Sequence, residues 1–115
     1  MASNSIWETR ILSSGASSFS QRVWKAMLKI PRGKVASYQT IAKMAGNVNA
    51  SRAVGNACNK NPFAPDVPCH RVVASDGSLG GYAHGSVKKI ALLNKEGVRV
   101  TGNKIVDFEN VVFKR

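Results

Sequence analysis

A pair of short helical segments divided by a glycine-containing turn constrains the fold of this chain most. The first segment fits residues 38–45, where Ser37 can cap the start and Gly46 the end. The second fits residues 50–59 and follows the turn at 46–49. Two short helices joined in this way predict a helix-turn-helix, whose second helix enters a DNA groove. Many small helical domains contain such a pair, so close packing inside a core is an alternative interpretation.

One further helix is predicted on each side of this pair. Before it, apolar residues recur at helical spacing over residues 19–30, and Ser17 or Ser18 can cap the start. After it, residues 86–95 carry an apolar face that ends at Gly97. The chain is therefore expected to be mainly helical.

A small amount of β-structure is predicted between the helices. Val72–Val73 is followed by Asp-Gly at 76–77, a sequence typical of a short hairpin or wing. The predicted fold class is mainly α, a winged-helix-like helix-turn-helix DNA-binding domain with a small β-hairpin. We expect a flexible or loosely packed N-terminal arm at 1–17, one domain at 18–100 and a C-terminal tail at 101–115.

The charge distribution favours a polyanionic partner. Seventeen Lys and Arg oppose six Asp and Glu, which gives a formal net charge of +11. No acidic residue occurs between Glu8 and Asp66. The basic residues of that stretch are Arg10, Arg22, Lys25, Lys29, Arg32, Lys34, Lys43, Arg52 and Lys60. Nucleic acid is the expected partner because binding releases its counterions, whereas solubility alone is the simpler alternative.

Several other classes of protein are disfavoured by the sequence. No stretch reaches the roughly 18 apolar residues of a membrane span, and the N-terminus does not resemble a signal peptide. We therefore expect no membrane association and a location in the cytosol or nucleus. Cys58 and Cys69 form no CxxC pair, and the two histidines complete no usual zinc spacing, so no metal site is expected. A disulfide remains open from sequence, but two free thiols are favoured.

The segment from Pro68 to Val73 carries the clearest chemical signal. A cysteine reacts as its thiolate, and a free thiol, with a pKa near 8.5, needs a base or a positive setting to ionise at neutral pH. His70 can act as that base for Cys69, and Arg71 adds positive charge. Cys58 lies in a predicted helix without a neighbouring histidine, so it is expected to be buried and inert.

This segment resembles the Pro-Cys-His-Arg-Val active-site motif of the O6-alkylguanine-DNA alkyltransferases. The resemblance covers about residues 18–100 in the order and spacing of that family. The other matching segments are Ser37-Tyr38-Gln39, Ala45-Gly46-Asn47, Ser51-Arg52-Ala53-Val54-Gly55, Asn61-Pro62, Gly81-Tyr82, Leu92-Leu93 and Glu96-Gly97. The resemblance implies DNA repair by irreversible transfer of an alkyl group from guanine O6 to the protein's own cysteine, once per molecule and without a cofactor.

The resemblance also implies catalytic roles for four residues. Cys69 resembles the acceptor thiol, and His70 resembles the base that deprotonates it through a water molecule. Glu96 resembles the carboxylate that orients this histidine, as in other arrangements of nucleophile, base and acid. Asn61 resembles the hinge asparagine that joins the active-site loop to the helix-turn-helix by hydrogen bonds.

Contacts with the substrate are implied in the same way. Arg52 resembles the finger that fills the place of an extruded nucleotide, and Tyr38 the residue that presses on the adjoining phosphate. Tyr82 resembles the tyrosine that hydrogen-bonds the flipped base, and the backbone carbonyls of Cys69 and Val72 match acceptors for its amino group. The expected partner is double-stranded DNA bound through its minor groove by a monomer.

The helix around Gly55 and the segment after Tyr82 add two further expectations. Small residues around Gly55 let the helix backbone approach a neighbour closely, which fits either packing inside the core or, as the resemblance implies, entry into the minor groove. After Tyr82 the family commonly has a small hydroxyl residue and then glycine, whereas this chain has Ala83 and His84. Ala83 is therefore a candidate substrate-contacting residue that lacks a hydroxyl, and His84 could narrow the pocket or meet DNA.

Two other departures from the family concern the loop and the ends of the chain. The loop at 63–66 differs from the branched-aliphatic run common in the family, and Asp66 would place an acid near the site. Only about 17 residues precede the first matched helix, where larger members carry an N-terminal domain. The chain length and tail resemble the alkyltransferase-like proteins, which bind alkylated guanine but lack the acceptor cysteine. Because Cys69 is present, alkyl transfer is favoured over such a lesion sensor. The full motif set disfavours a plain helix-turn-helix regulator.

Overall fold

The computed structural model describes residues 2–113, with side chains over 6–113. In chain order, its helices are α1 (Ala2–Leu12), α2 (Ser18–Met27), α3 (Tyr38–Met44), α4 (Ser51–Asn59), α5 (Ser86–Lys95) and α6 (Phe108–Val111). The strands are β1 (Ala36–Ser37), β2 (Val72–Val73), β3 (Val100–Thr101) and β4 (Lys104–Ile105), and Cys69–Arg71 forms a 3₁₀ helix. The prediction of a mainly helical domain is confirmed.

Helices α3 and α4 form the predicted helix pair. The Ser37 hydroxyl oxygen accepts the Thr40 backbone N–H at 3.0 Å, which caps the first turn of α3. Gly46 follows α3 with a φ of 98°, a conformation that glycine adopts without steric cost. Val54 and Ala57 turn inward from α4, whereas a Cβ placed on Gly55 would meet nothing within 4 Å. The side of α4 that carries Gly55 is therefore open.

Helix α2 packs against both members of this pair and closes the main core. Ser17 caps α2 by accepting the Ser20 backbone N–H at 3.2 Å, as the sequence predicts. The buried side chains of Val23 and Met27 face the core. The Trp24 indole N–H donates to the Ala57 carbonyl at 3.0 Å, so a buried hydrogen bond joins α2 to α4.

The prediction of a hairpin directly after Val72–Val73 was wrong about the position of the hairpin. Strand β2 instead pairs in parallel with β1, with Ala36 opposite Val72 and Ser37 opposite Val73. Both valines are buried, and a strand covered on both faces suits internal parallel pairing better than an exposed wing. The Asp-Gly sequence does form a turn, but the antiparallel hairpin is built by β3 and β4.

The residues expected to form a flexible or loosely packed N-terminal arm include a helix that packs against α2. Residues 2–12 form α1, which packs against α2, and Ile11 is 0% exposed in the main core. The Trp7 ring lies 5.9 Å from the ring of Phe63, centroid to centroid. Trp7 and Ile11 are four residues apart, so both fall on one side of a helix. Serines surround this short apolar side, which explains why the pattern looks weak in the sequence.

A second, smaller core joins α5 to the C-terminal segment. Its buried residues are Val35, Val73, Leu79, Leu93, Val98 and Ile105. Phe108 and Val111 pack against this cluster, and Val35 forms a β-bridge with Val112. The C-terminal segment thus contributes apolar residues to the fold. Within residues 2–113, no helix combines the length and apolar character needed to cross a membrane.

The packing of α1 leads to a stability prediction with a neighbouring control. Ile11→Ala should lower the free energy of unfolding by about 2–5 kcal/mol, because it removes a fully buried side chain from the core. Leu12 is 72% exposed, so Leu12→Ala should change that free energy by no more than about 0.5 kcal/mol. Urea denaturation measures both values, and equal effects would contradict the packing of α1.

Candidate active site

The Cys69 thiol is held where the loop after α4 meets the 3₁₀ helix. Cys69 is only 3% exposed, and its backbone N–H donates to the Val67 carbonyl at 2.9 Å. The Asn61 side-chain amide donates to that same carbonyl at 2.7 Å and to the Cys69 sulfur at 3.4 Å. The Asn61 side-chain oxygen accepts the Phe63 backbone N–H at 2.9 Å. One buried side chain therefore fixes both ends of the loop and also touches the thiol.

His70, the residue after Cys69, forms a buried hydrogen-bonded pair with Glu96. The distance from His70 Nε2 to Glu96 Oε2 is 3.0 Å, and His70 is 1% exposed. A carboxylate accepts hydrogen bonds, so Nε2 carries the proton and donates it. The other ring nitrogen, Nδ1, is buried without a hydrogen-bond partner among the described residues. This nitrogen therefore has a free lone pair, which is what a base requires.

Arg71 fixes the carboxylate from the other side. Its guanidinium donates to Glu96 Oε1 at 2.9 Å and to Oε2 at 2.8 Å, and also to the Ile30 carbonyl at 2.8 Å. This two-pronged contact is the strong geometry for an arginine and a carboxylate. The sequence suggests only a general positive charge for Arg71, whereas the structure gives it a defined position.

The protonation states follow from this burial and pairing. Burial lowers the pKa of His70, and the Glu96 carboxylate offsets this only in part. Burial by itself would raise the pKa of Glu96, but hydrogen bonds from Arg71 and His70 outweigh it and leave that pKa below its usual value. At neutral pH the pair is therefore a neutral imidazole beside a carboxylate.

Cys58, expected to be buried and inert, is half-buried, and the pKa of its thiol is raised. The Cys58 side chain lies next to the Cys69 thiol, and this contact lowers the pKa of Cys69. Burial opposes that shift, whereas the Asn61 amide and the charge of Lys89 support it. The same contact, together with burial, raises the pKa of Cys58, so the proton stays on Cys58. Because the loop fold brings the two thiols together, their separation in sequence gives no sign of it.

Lys89 is a buried residue of the site that sequence reasoning missed. It is 0% exposed, and its ammonium group donates to the Val72 carbonyl at 2.7 Å and the Gly81 carbonyl at 2.9 Å. Burial lowers its pKa to about 8. Lys89 lies four residues before the buried Leu93, and this helical spacing was the available signal. The Val72 carbonyl, expected to accept from substrate, already accepts from Lys89.

Tyr38 and the 80–84 segment form one wall of the site. The Tyr38 hydroxyl donates to the Gly81 carbonyl at 3.3 Å, and a Cβ on Gly80 would lie 2.7 Å from that hydroxyl oxygen. Glycine is thus needed where this segment crosses the tyrosine. Tyr82 is half-buried, and its ring meets that of His84 edge-on at 5.3 Å. Burial raises the pKa of each tyrosine to about 12, so both keep their protons.

Arg52 and Gly55 lie on the surface of α4 and not among the thiol cluster. Arg52 is exposed in the first turn, and Gly55 lies on the open side of the helix. Ala83 is exposed beside Tyr82. The structure thus joins Asn61 to Cys69 and His70 to Glu96 by hydrogen bonds, whereas Arg52 and Ala83 are exposed.

The sequence comparison decides the family. Residues 18–98 match the family model described as the DNA-binding domain of 6-O-methylguanine DNA methyltransferase. The chain belongs to this family. The methylated-DNA–protein-cysteine methyltransferase of Methanosarcina acetivorans is 52% identical over 79 residues, which are 69% of this chain and 51% of that protein. The corresponding protein of Mycobacterium leprae is 50% identical over 78 residues, 68% of this chain and 47% of its own length.

Solved structures of the alkyltransferase family and of a related protein share the fold. Mycobacterium tuberculosis OGT in complex with DNA superposes with a TM-score of 0.70 at 50% identity, covering 71% of this chain and 50% of that one. Schizosaccharomyces pombe Atl1, in complex with damaged DNA containing O6-carboxymethylguanine, gives 0.75 at 29% identity, with coverage of 84% and 95%. The chain spans about half the length of the curated relatives it matches.

The departure of this family member at Asp66 does not bring an acid to the thiol. Asp66 is exposed and lines a cleft together with Arg71 and Lys95, and the largely buried His70 and Glu96 line the same cleft. Its negative charge therefore lies among basic groups. Phe63, in the same loop, packs edge-on against Trp24 with ring centroids 6.0 Å apart, so the changed loop sequence serves packing.

Substitution of two adjacent lysines tests how a buried positive charge affects the pKa of the Cys69 thiol. Lys89→Met should raise the pKa of Cys69, because it removes a buried positive charge that stabilises the thiolate. The pH dependence of thiol alkylation by iodoacetamide measures this pKa. Lys88→Met is the control, since Lys88 is exposed and should leave the midpoint unchanged. An equal midpoint in both variants would contradict the role of Lys89.

Proposed function

We propose that this protein repairs alkylated DNA by moving an alkyl group from guanine O6 to the sulfur of Cys69. The observation that supports this most is the setting of the thiol. Cys69 is buried, hydrogen-bonded by Asn61, and has a lowered pKa, and the histidine that follows it in the chain has a buried ring nitrogen free to accept a proton. The relatives named methylated-DNA–protein-cysteine methyltransferase support the same reaction.

The proposed transfer is a direct displacement. Cys69 gives its proton to Nδ1 of His70 through a water molecule, and its sulfur attacks the alkyl carbon. The sulfur–carbon bond forms as the carbon–oxygen bond to guanine breaks. Glu96, fixed by Arg71, holds the imidazole and stabilises its protonated form. The carbon–sulfur bond of the thioether is stable in water at neutral pH, so Cys69 is not regenerated and each molecule acts once.

The burial of the thiol supports extrusion of the damaged nucleotide. A base stacked inside a duplex cannot reach a sulfur that is 3% exposed, so it must leave the stack. In this proposal, α4 approaches the minor groove along its open side at Gly55, and Arg52 fills the place of the base. Tyr38 presses on the adjoining phosphate. The many basic residues of the chain supply affinity for the DNA backbone.

The segment after Tyr82 shapes the proposed binding of the flipped base. Tyr82 keeps its proton, since burial raises its pKa to about 12, and can donate a hydrogen bond to the base. Ala83 offers no hydroxyl, so only its backbone can contact the O6 side. The carbonyls of Cys69 and Val72 are the proposed acceptors for the amino group of the base. The Val72 carbonyl has a second lone pair beside the one that accepts from Lys89.

The primary test is the mass of the protein after reaction. Incubation with a duplex that contains one O6-methylguanine should add one methyl group per chain, which peptide mapping should locate on Cys69. Cys69→Ala should show no gain, because the acceptor is missing, whereas Cys58→Ala should still gain a methyl group. A methyl group found on Cys58, or an unchanged mass of the wild-type protein, would overturn the proposal.

A variant at Arg52 separates flipping of the nucleotide from the alkyl-transfer reaction. Arg52→Ala should slow transfer from duplex DNA by about tenfold, which is about 1.4 kcal/mol in activation free energy. It should leave transfer from the free base O6-methylguanine unchanged, because a free base needs no extrusion. Lys25→Ala removes one positive charge from α2 and serves as the control. If this control slows duplex repair equally, the effect of Arg52 is general charge and not flipping.

A lesion sensor is the second candidate function. The coverage of the Atl1 chain by this one, 95%, favours it, since that protein is bound to damaged DNA. Tight binding to O6-alkylguanine duplexes without any gain in mass would identify the sensor. The setting of Cys69 favours transfer, because a buried thiol with a lowered pKa is suited to react and not only to bind.

A further inference from the structure

The C-terminal segment, residues 99–113, follows the part of the chain that matches the family model, which ends at residue 98. The proposed transfer reaction gives this segment no role. It contains the hairpin of β3 and β4 and then α6. Its apolar residues Val100, Ile105, Phe108 and Val111 join the smaller core. A segment that packs into the core can determine where the neighbouring parts of the site lie.

The hairpin holds the turn that leads into the wall of the site. The Leu79 backbone N–H donates to the Asn103 carbonyl at 2.8 Å, and the Ile105 N–H donates to the Gly77 carbonyl at 2.8 Å. A Cβ placed on Gly77 would lie 3.1 Å from Cγ of Phe108, so the Phe108 ring rests against this glycine. Residues 77–79 are therefore held by two backbone hydrogen bonds and by an aromatic ring.

The end of the same segment holds the strand that leads into Tyr38. The Val35 N–H donates to the Val111 carbonyl at 3.0 Å, and the Val35 carbonyl accepts the Phe113 N–H at 2.6 Å. Val112 thus pairs in parallel with Val35, which is fully buried. Strand β1 follows Val35, and α3 begins with Tyr38 directly after β1.

These two attachment points have the same relation to the site. Val35 lies three residues before Tyr38, and Leu79 lies three residues before Tyr82. The two paths meet where the Tyr38 hydroxyl donates to the Gly81 carbonyl at 3.3 Å. Each residue contributes only two soft backbone angles, so a displacement at either attachment point is passed on to the tyrosine that follows it.

We infer that the C-terminal segment positions Tyr38 and Tyr82 for the damaged base, by holding Val35 and Leu79. It is a positioning element, because it acts through the backbone of these residues. The inference rests on the proposed function, in which Tyr82 hydrogen-bonds the flipped base. A small displacement of the groups that orient a substrate slows a reaction without unfolding the protein.

Phe108→Ala tests the inference, and Phe19→Ala is its matched control. Both phenylalanines are half-buried, but Phe19 packs on the main core at the start of α2. Phe108→Ala should slow methyl transfer to Cys69 by about tenfold, from duplex DNA and from the free base O6-methylguanine alike, because the base is bound out of position. Phe108→Leu should recover most of that rate, since its side chain again covers Gly77. Phe19→Ala should keep the wild-type rate, and circular dichroism checks the fold of each variant.

Alkylation of Cys69 by iodoacetamide separates positioning from loss of the fold. This small reagent does not need the wall that binds the base. Phe108→Ala should therefore alkylate Cys69 at the wild-type rate, measured by peptide mapping. A partly unfolded site would instead expose a thiol that is 3% exposed in the fold and would raise this rate.

The distance between Tyr38 and Gly80 gives a readout that needs no transfer. A Cβ on Gly80 would lie 2.7 Å from the Tyr38 hydroxyl oxygen, so the α-protons of Gly80 should give strong nuclear Overhauser effects to the Tyr38 ring. These effects should weaken in Phe108→Ala and stay unchanged in Phe19→Ala.

Three outcomes would overturn the inference. These are transfer by Phe108→Ala at the wild-type rate, an equal loss of transfer in Phe19→Ala, and a change in iodoacetamide reactivity that parallels the change in transfer. If the wild-type protein takes up no methyl group from either substrate, the proposed function fails. The nuclear Overhauser effects then decide whether the segment positions the wall, and unchanged effects in Phe108→Ala would show that it does not.

Discussion

The side chain of Asn61 is the junction on which the rest of the site depends. It lies two residues after the end of α4, and its amide donates to the Val67 carbonyl at 2.7 Å and the Cys69 sulfur at 3.4 Å. A buried amide has a fixed number of donors and acceptors, and its side-chain oxygen is taken by the Phe63 backbone N–H. The thiol, the loop and the end of α4 are therefore fixed relative to one another by a single residue.

Charge balance within a small buried volume is the second organising feature. Glu96 carries the negative charge and Arg71 neutralises it with two hydrogen bonds, while burial keeps His70 uncharged. Lys89 supplies the positive charge beside the thiols and is itself satisfied by two carbonyls. Buried charges are tolerated when they are paired and hydrogen-bonded, and this arrangement meets that condition. A site of this kind favours a thiolate in a setting from which water is largely excluded.

The helices around this site have two roles: α1 and α2 support the loop that leads to Cys69, and α4 presents an exposed surface. Helix α1 supports the active-site loop from outside, since Trp7 packs on Phe63, and Trp24 of α2 packs on the same ring. Helix α4 presents small residues and Arg52 outward, with nothing near Gly55. Aromatic packing thus holds the loop that leads to Cys69 in place on one side, while the outer surface of α4 is exposed.

The sequence by itself determined the helix pair, the capping serines at 17 and 37, the basic character and the reactive segment around Cys69. These are local properties, because capping, helical spacing and charge depend on neighbours along the chain. The sequence also encodes α1, but the apolar side of this helix is short and lies among serines. The pattern therefore does not show that Ile11 enters the core. The tertiary structure alone decided that β2 pairs with β1 and that Lys89 turns inward. Each of these depends on segments distant in sequence that meet only when the loop between α4 and β2 folds back, and no local pattern encodes such a contact.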